Sequence, residues 1–464
     1  MSAAATTNMQ GAVSNAIARH LAEAQAQDLP AQEIAAAKMS LIDVLACALA
    51  AKDSPGTAAV LAVCQSERAV GRSTIWMTGE MTTPRQAGFV NSMYAASLDY
   101  DSVFHRGVVH SDIIVVPTAV AVGEAVTCSG AELLSTIAYG NDLLCRLSLI
   151  SPPPRKAWFF SSVYGVIVSA AMTARLLKGN EKQICDAMGL ALFSAAGTYQ
   201  PMTERSTSKQ AMAAFAVQAG IHCGYLAVAG LEGVNQPLDG KHGILAMYQN
   251  GDLSAVTEGL GKIFFGSQIG RKPYPSCQCN HAPIEGILAL KHEYGIKPCD
   301  VAEVEVSLSP HACRIVGALY DGQPPSQMTA QFSVQYSIAC ALIRGKVGID
   351  EIKQPCISDE EIVELARRVR IAEDRDNPNT YVPASVTVRM RDGSCVSNTT
   401  TVNRGSASQP MTEAEMLQKV EDCLMSVNRG LEGTAVRTIF YQLMGIDHAP
   451  EINEPVLVFL RSVI

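Results

Sequence analysis

The sequence predicts a mainly α fold, with a large all-helical domain and a smaller α+β domain. Helical apolar spacing recurs from residue 10 to about 265. Strand-like alternation is confined to the stretch between 301 and 402. Helical patterning returns from 409 to the C-terminus. The chain has 464 residues, 48% hydrophobic and 17% charged, so it can bury a large core. Aromatic residues make up only 6%, which leaves Ala, Val, Leu and Ile to build that core.

The first strong element is "LPAQEIAAAKMSLIDVLACALAA" (29–51), rich in helix formers at helical spacing. Further helices are expected over 87–98, 112–127, 131–148, 161–178, 181–195 and 209–230. Ala and Gly occupy many of their apolar positions, which predicts close helix packing. The pattern changes near 266. "VAEVEVSLSP" (301–310) alternates, with Val304, Val306 and Leu308 on one face. The stretch 384–402 alternates as well, with a hairpin turn expected at Asp392-Gly393. Between them, "ISDEEIVELARRVRI" (357–371) reads as a helix opened by a capping box of Ser358 and Glu361. A second box, Thr412 and Glu415, opens a helix over 409–427. The expected boundaries are 1–266 with 405–464 for the helical domain and 267–404 for the α+β domain.

A net charge of −8, with no Lys/Arg run, argues against a nucleic-acid partner. The 14 cysteines are spread without a small-domain spacing and read as reduced thiols. The N-terminal stretch lacks a basic segment followed by an apolar one, so no secretory leader is expected. Pro117, Glu124 and Arg175 interrupt the longest apolar runs, and none is expected to reach the roughly 20 residues that span a bilayer. A soluble, cytoplasmic protein is expected, with no membrane partner. The low charge suggests a surface buried in an oligomer.

Walker A, G-x-G-x-x-G and G-x-S-x-G motifs are absent. "CQCNH" (277–281) holds three possible metal ligands, but its spacing is uncommon for zinc and no second ligand pair follows. Cysteines of a core or cleft are the plainer reading.

Three segments concentrate chemistry. "DYDSVFHRGVVHSD" (99–112) gathers Asp99, Asp101, His105, Arg106, His110 and Asp112 between two apolar helices. Burying so many polar groups costs several kcal/mol unless they are paired. They either form a solvated loop or line a cleft. "GRKPYPSCQCNHAPIEGIL" (270–288) places Arg271 and Lys272 before an extended Pro-Tyr-Pro turn, at the expected domain junction. It is either a linker with solvated cations or a ligand site. "TERSTSKQAMAAFAVQAG" (203–220) leads three hydroxyls and Lys209 into a helix. Plain capping and an anion cradle both suit it.

At these places the chain resembles the MmgE/PrpD superfamily, which includes 2-methylcitrate dehydratase, cis-aconitate decarboxylase and iminodisuccinate epimerase. The matching residues are Asp99-Tyr100-Asp101, then His110-Ser111 and "PTAVAVGEA"; Lys272-Pro273-Tyr274-Pro275-Ser276-Cys277, then His281 and Ile284; and Ser208-Lys209 with Gly220. "GILAMY" (243–248) and "QFSVQYSIA" (331–339) also match family segments.

The resemblance implies the same two-domain fold, a homodimer, an active site between the domains, and no metal or organic cofactor. Its substrates are small di- or tricarboxylates. Lys209 and Lys272, with Arg271 or Arg205, would pair with carboxylates. His110 would be the acid–base group; Asp99 or Asp101 would orient it or hold a substrate hydroxyl, and Tyr274 would either donate to a leaving oxygen or shape the wall. Lys272 is also counted among the catalytic groups. Ser208, Cys277, His105, Phe159 and His281 complete the expected substrate-binding set.

Two positions depart from the family pattern. "AWFFSSVYG" (157–165) places Phe159 where many members carry a histidine, and Lys209 continues into Gln210-Ala211-Met212 rather than Pro-Leu-His. Phe159 cannot transfer a proton or bind a carboxylate, so a less charged or apolar-substituted substrate is expected. Three functions remain open: a lyase that dehydrates or decarboxylates, an epimerase using Lys272, Tyr274 or Cys277 as a second acid–base group, and a non-catalytic homologue.

Overall fold

The computed structural model describes residues 12–150, 157–248, 251–320 and 325–461. The expected helices form in the N-terminal half. Four of them position the site: α1 (Pro84–Ala96), α2 (Asp112–Val126), α3 (Phe160–Leu176) and α4 (Ser208–Val228). α2 is buried from Asp112 to Glu124, as a helix apolar on all sides must be.

Small residues let α3 and α4 approach closely. A Cβ on Gly220 would lie 2.4 Å from the Ser169 Cβ and 2.8 Å from the Val166 carbonyl oxygen. Ser169 Oγ donates to the Val217 carbonyl across the same contact, at 3.2 Å.

Two hydrophobic cores are present. One is built from residues between Ile17 and Ile269, joined by Ile349 and Ile352 and by the C-terminal helices through Val420, Phe440 and Phe459. The other lies among residues 274–388, with Phe159 and Met202 reaching into it. The helix Glu413–Val427 is tied to the helix Ala31–Ala50 by a buried Lys419–Asp43 pair of 2.7 Å. Lys419 also donates to the Tyr100 carbonyl at 2.9 Å, which anchors the site loop from behind.

The second core covers one face of a four-stranded sheet: β1 (Val301–Leu308), β2 (Val369–Glu373), β3 (Ala384–Met390) and β4 (Cys395–Thr400), in the order β2-β1-β3-β4. β1 runs parallel to β2 and antiparallel to β3. Val304, Val306 and Leu308 are buried, and Val304 and Val306 pair with Val388 and Val386 of β3. Helix α5 (His281–Tyr294) packs on β3 and β4. The hairpin closes at Asp392-Gly393, where Gly393 adopts φ +91°. The Thr412–Glu415 box also forms, with Thr412 N–H donating to Glu415 at 2.7 Å and Glu415 N–H donating to Thr412 Oγ1 at 3.3 Å.

Four expectations are corrected. The segment 357–371 is not one helix. Its helical part is Glu360–Ala366, capped by Asp359, which accepts from the Glu361 N–H at 2.9 Å; Ser358 is not the cap. The "VRI" that follows joins β2, because pairing with β1 offers its β-branched residues a ladder that a solvated helix end lacks. The described residues between 229 and 266 are mostly irregular, with four-residue helices at Ile244–Met247 and Ser254–Thr257. Gly230, Gly233, Pro237, Gly240 and Gly243 explain this. A short ribbon pairs Ser73–Thr74 with Met81–Thr82 inside the region read as all helix. Finally, α4 has 21 residues and by length and composition alone could cross a bilayer. It packs instead against α1 and α3, with Val217 and Ile221 fully buried.

Candidate active site

The loop between α1 and α2 forms one wall of a chamber between the two cores. Val103 pairs with Gly270 by hydrogen bonds of 2.9 Å in both directions, which lays this loop along the segment carrying Lys272. Two non-glycine residues of the loop are left-handed: Asp99 at φ +48° and Val108 at φ +50°. Such a conformation costs on the order of 1–3 kcal/mol for a residue like Val. Both residues line the chamber.

Asp99 is the electrostatic centre. Its carboxylate pairs with Lys209 through Oδ1 and with Lys272 through Oδ2, the latter at 3.1 Å. Lys272 also donates to the Asp99 carbonyl at 2.7 Å. All three groups are buried. Burial would raise the Asp99 carboxyl, but Lys209, Lys272 and His110 outweigh it and hold it far below the usual carboxylate range. Burial pulls Lys209 down, and Asp99 and Asp101 more than restore its charge.

His110 lies at the start of α2. Its backbone N–H donates to Ser161 Oγ at 3.0 Å. Its Nδ1 lies 2.7 Å from Asp101 Oδ2 and 3.1 Å from the Ser102 carbonyl. With both neighbours accepting, Nδ1 carries the hydrogen and Nε2 is the free nitrogen. Asp101 is fully buried, yet its pKa is lowered, because His110 and Lys272 outweigh the desolvation. The Phe159 ring lies beside His110 at a centroid distance of 6.2 Å.

Six of the expected residues therefore share the chamber: Asp99, His110, Phe159, Lys209, Lys272 and Cys277. Asp101 stands directly behind His110. A hydrogen bond from Cys279 lowers the Cys277 thiol pKa against the effect of burial, with help from Lys272.

Other expected residues do not line it. Ser208 is exposed and bonds Ser206, because one helical step turns it away from Lys209. Arg271, Lys272's neighbour, points the other way, to the Ala36 carbonyl at 2.8 Å and Ser40 Oγ at 3.1 Å. Arg205 donates to the Phe332 carbonyl at 2.6 Å outside the chamber. Tyr274 and His281 pack edge to face behind the wall, 5.3 Å apart. Burial brings His281 down to about 3 and lifts Tyr274 to about 12, which leaves both neutral. His105 faces an outer cleft. Asp112 is structural, accepting from Ser102 Oγ at 2.6 Å and Asn141 Nδ2 at 2.8 Å.

Sequence reading missed part of the lining, notably Tyr199, Met202, Gln278, His311, Phe332 and Tyr381. Gln278 Nε2 is buried without a hydrogen-bond partner among the described residues. Its place in "SCQCNH" was a usable signal. Phe332 lay within the family-like segment 331–339, whereas Tyr381 carried no signal, because it reaches the chamber only through the fold of the α+β region.

Comparison with known proteins bears on the whole chain. A model of the MmgE/PrpD N-terminal domain matches residues 15–255, and one of the MmgE/PrpD C-terminal domain matches residues 274–432. The chain belongs to the MmgE/PrpD family. A cis-aconitate decarboxylase of Aspergillus terreus is 24% identical, over 98% of this chain and 97% of that protein. The cis-aconitate decarboxylases of Mus musculus and Homo sapiens are 24% and 25% identical, each over 75% of this chain and 73% and 74% of their own lengths. Both MmgE/PrpD domains border the chamber: Asp99, His110 and Lys209 come from the first matched region, and Cys277 and Phe332 from the second.

Proposed function

We propose that this MmgE/PrpD protein is a lyase acting on a small di- or tricarboxylate, by decarboxylation or dehydration next to a carboxylate and without a cofactor. The observation that carries the reading is the His110–Asp101 pair facing Lys209 and Lys272 across one chamber. The cis-aconitate decarboxylase activity named for the relatives supports it.

The chemistry follows from the charges. Loss of CO₂ leaves an electron pair on carbon, and loss of water begins by drawing a proton from carbon. Both build negative charge toward a neighbouring carboxylate. Lys209 and Lys272 are fixed and largely desolvated, so they stabilise that charge more than water would. His110 Nε2 delivers a proton to the carbon that CO₂ has left, or takes one from carbon and returns it to the departing hydroxyl, which leaves as water. Asp101 fixes the ring and stabilises the imidazolium. Asp99 keeps the two ammonium groups together when no ligand is bound.

The test is proton NMR in deuterated water with cis-aconitate, citrate, 2-methylcitrate, iminodisuccinate and alkyl-substituted analogues. Loss of CO₂ or water from one acid, absent in His110→Ala, is the expected result. No conversion of any acid by a well-folded sample would sink the reading. One observation favours a second reading, an epimerase: the acidified Cys277 thiol shares the chamber with His110 and would be a second proton carrier. Deuterium exchange without net loss, abolished in Cys277→Ala, would establish it.

A further inference from the structure

The chamber is small and its charges are balanced. Its volume of about 60 Å³ holds on the order of five waters at 10–15 Å³ each. Two ammonium groups, Lys209 and Lys272, line the chamber with one carboxylate, Asp99, and Asp101 adds a second negative charge from behind His110. The rest of the lining is largely apolar, from Phe159, Met202, Ile315 and Phe332. Such a space suits one carboxylate and the carbons beside it. It offers no surplus positive charge for further anionic groups.

That charge is found outside. His311 and Tyr381 line both the chamber and an outer cleft of about 740 Å³. Three guanidinium groups line the cleft, from Arg106, Arg314 and Arg375, and no carboxylate does so among the described residues. Arg375 makes an exposed pair with Glu373 at 3.3 Å, and Arg106 donates to Gln268 at 3.3 Å. Arg314 has no ion pair among the described residues. It lies on the short helix Pro310–Val316, three residues from His311 and one from Ile315, both of which line the chamber. One turn of helix thus joins the inner wall to an unpaired cation outside it.

Resting on the lyase reading, we propose that the outer cleft is a second subsite of the active site. It holds a distal anionic group, carboxylate or phosphate, of an elongated substrate whose reacting carboxylate lies in the chamber. Arg314 is its main specificity-determining residue. The apolar lining and the His311–Tyr381 neck then take the carbon chain between the two ends.

The experiment is calorimetric titration of the wild-type protein and of Arg314→Gln with three probe series. These are glutarate, adipate and suberate; hexanoate and octanoate; and ω-phosphono acids of matching length. In wild type, one length of diacid or phosphono acid should bind at least tenfold tighter than the monoacid of that length. Arg314→Gln should erase the difference, and Arg314→Lys should keep part of it. Whichever doubly anionic series binds tighter identifies the distal group. Equal affinity of diacids and monoacids, binding of none of the probes, or an unchanged preference in Arg314→Gln would overturn the proposal. Arg314 is exposed, so an unaltered melting temperature serves as the folding control. If the preference fails while cis-aconitate or 2-methylcitrate is converted, the subsite is wrong and the lyase reading stands. If the preference holds and no acid is converted, the reverse is true.

Discussion

His110 Nδ1 and Asp101 Oδ2 are 2.7 Å apart, and Asp101 is fully buried behind the imidazole. This fixes which nitrogen of His110 meets a ligand. His110→Ala should lower kcat by 10²–10⁴-fold, roughly the range for a lost acid–base group, and should also lower the melting temperature, because it leaves the buried Asp101 unpaired. Asp101→Asn should lower kcat less and leave KM almost unchanged, because Ser102 still holds the ring. Asp101→Glu should recover part of the loss. A KM effect larger than the kcat effect would refute the positioning role.

Asp99 joins two buried ammonium groups, so its removal leaves both uncompensated. Asp99→Ala should cost on the order of 3–5 kcal/mol in urea unfolding. Lys209→Met should cost less, because the Lys272–Asp99 pair survives, yet it should weaken carboxylate binding at least tenfold. The native Asp99 pKa lies below its ordinary value of 3.8, so its stabilisation is complete above that value and is withdrawn as pH falls below it. Wild-type stability should therefore drop more steeply below pH 4 than that of Asp99→Ala.

Phe159 makes the wall beside His110 apolar. Phe159→His should raise kcat/KM for citrate-like triacids relative to alkyl-substituted diacids by at least tenfold, about 1.4 kcal/mol. An unchanged ratio would show that this wall does not select the substrate.

Gly220 permits the α3–α4 contact. Gly220→Ala should destabilise by about 1–3 kcal/mol, the usual cost of overpacking, read as a lower urea midpoint. A neutral result would mean that the helices separate freely.

Glu124 is buried in α2 and accepts from the Thr74 N–H at 2.7 Å. Burial lifts its carboxyl from 4.5 to about 7. The native state therefore holds a proton that the unfolded chain releases between those values. Its stabilisation is complete below 4.5 and is lost as pH rises toward 7. Relative to Glu124→Gln, wild type should lose stability across that window, at up to about 1.4 kcal/mol per pH unit. Parallel curves for the two proteins would contradict this.

The helices, β1, the hairpin turn and the Thr412–Glu415 box were legible in the sequence, because apolar period, turn chemistry and caps are local properties. Asp99, His110, Lys209, Lys272 and Cys277 were picked out by motifs shared with the MmgE/PrpD family, because polar crowding against apolar helices left a solvated loop and a cleft equally open. Local pattern could not show that 369–373 pairs with β1, since a strand partner 60-odd residues away decides it. Nor could it separate Lys272 from Arg271, or Lys209 from Ser208. Adjacent residues point to different sides, and only packing settles which side faces the chamber. Phe332, Tyr381 and Arg314 belong to the same class. The sequence by itself determined which titratable groups the chain carries and the periods that fold it. The tertiary structure alone decided which groups meet, because a site between two packed bodies is set by contacts distant in sequence, and those depend on how both cores close.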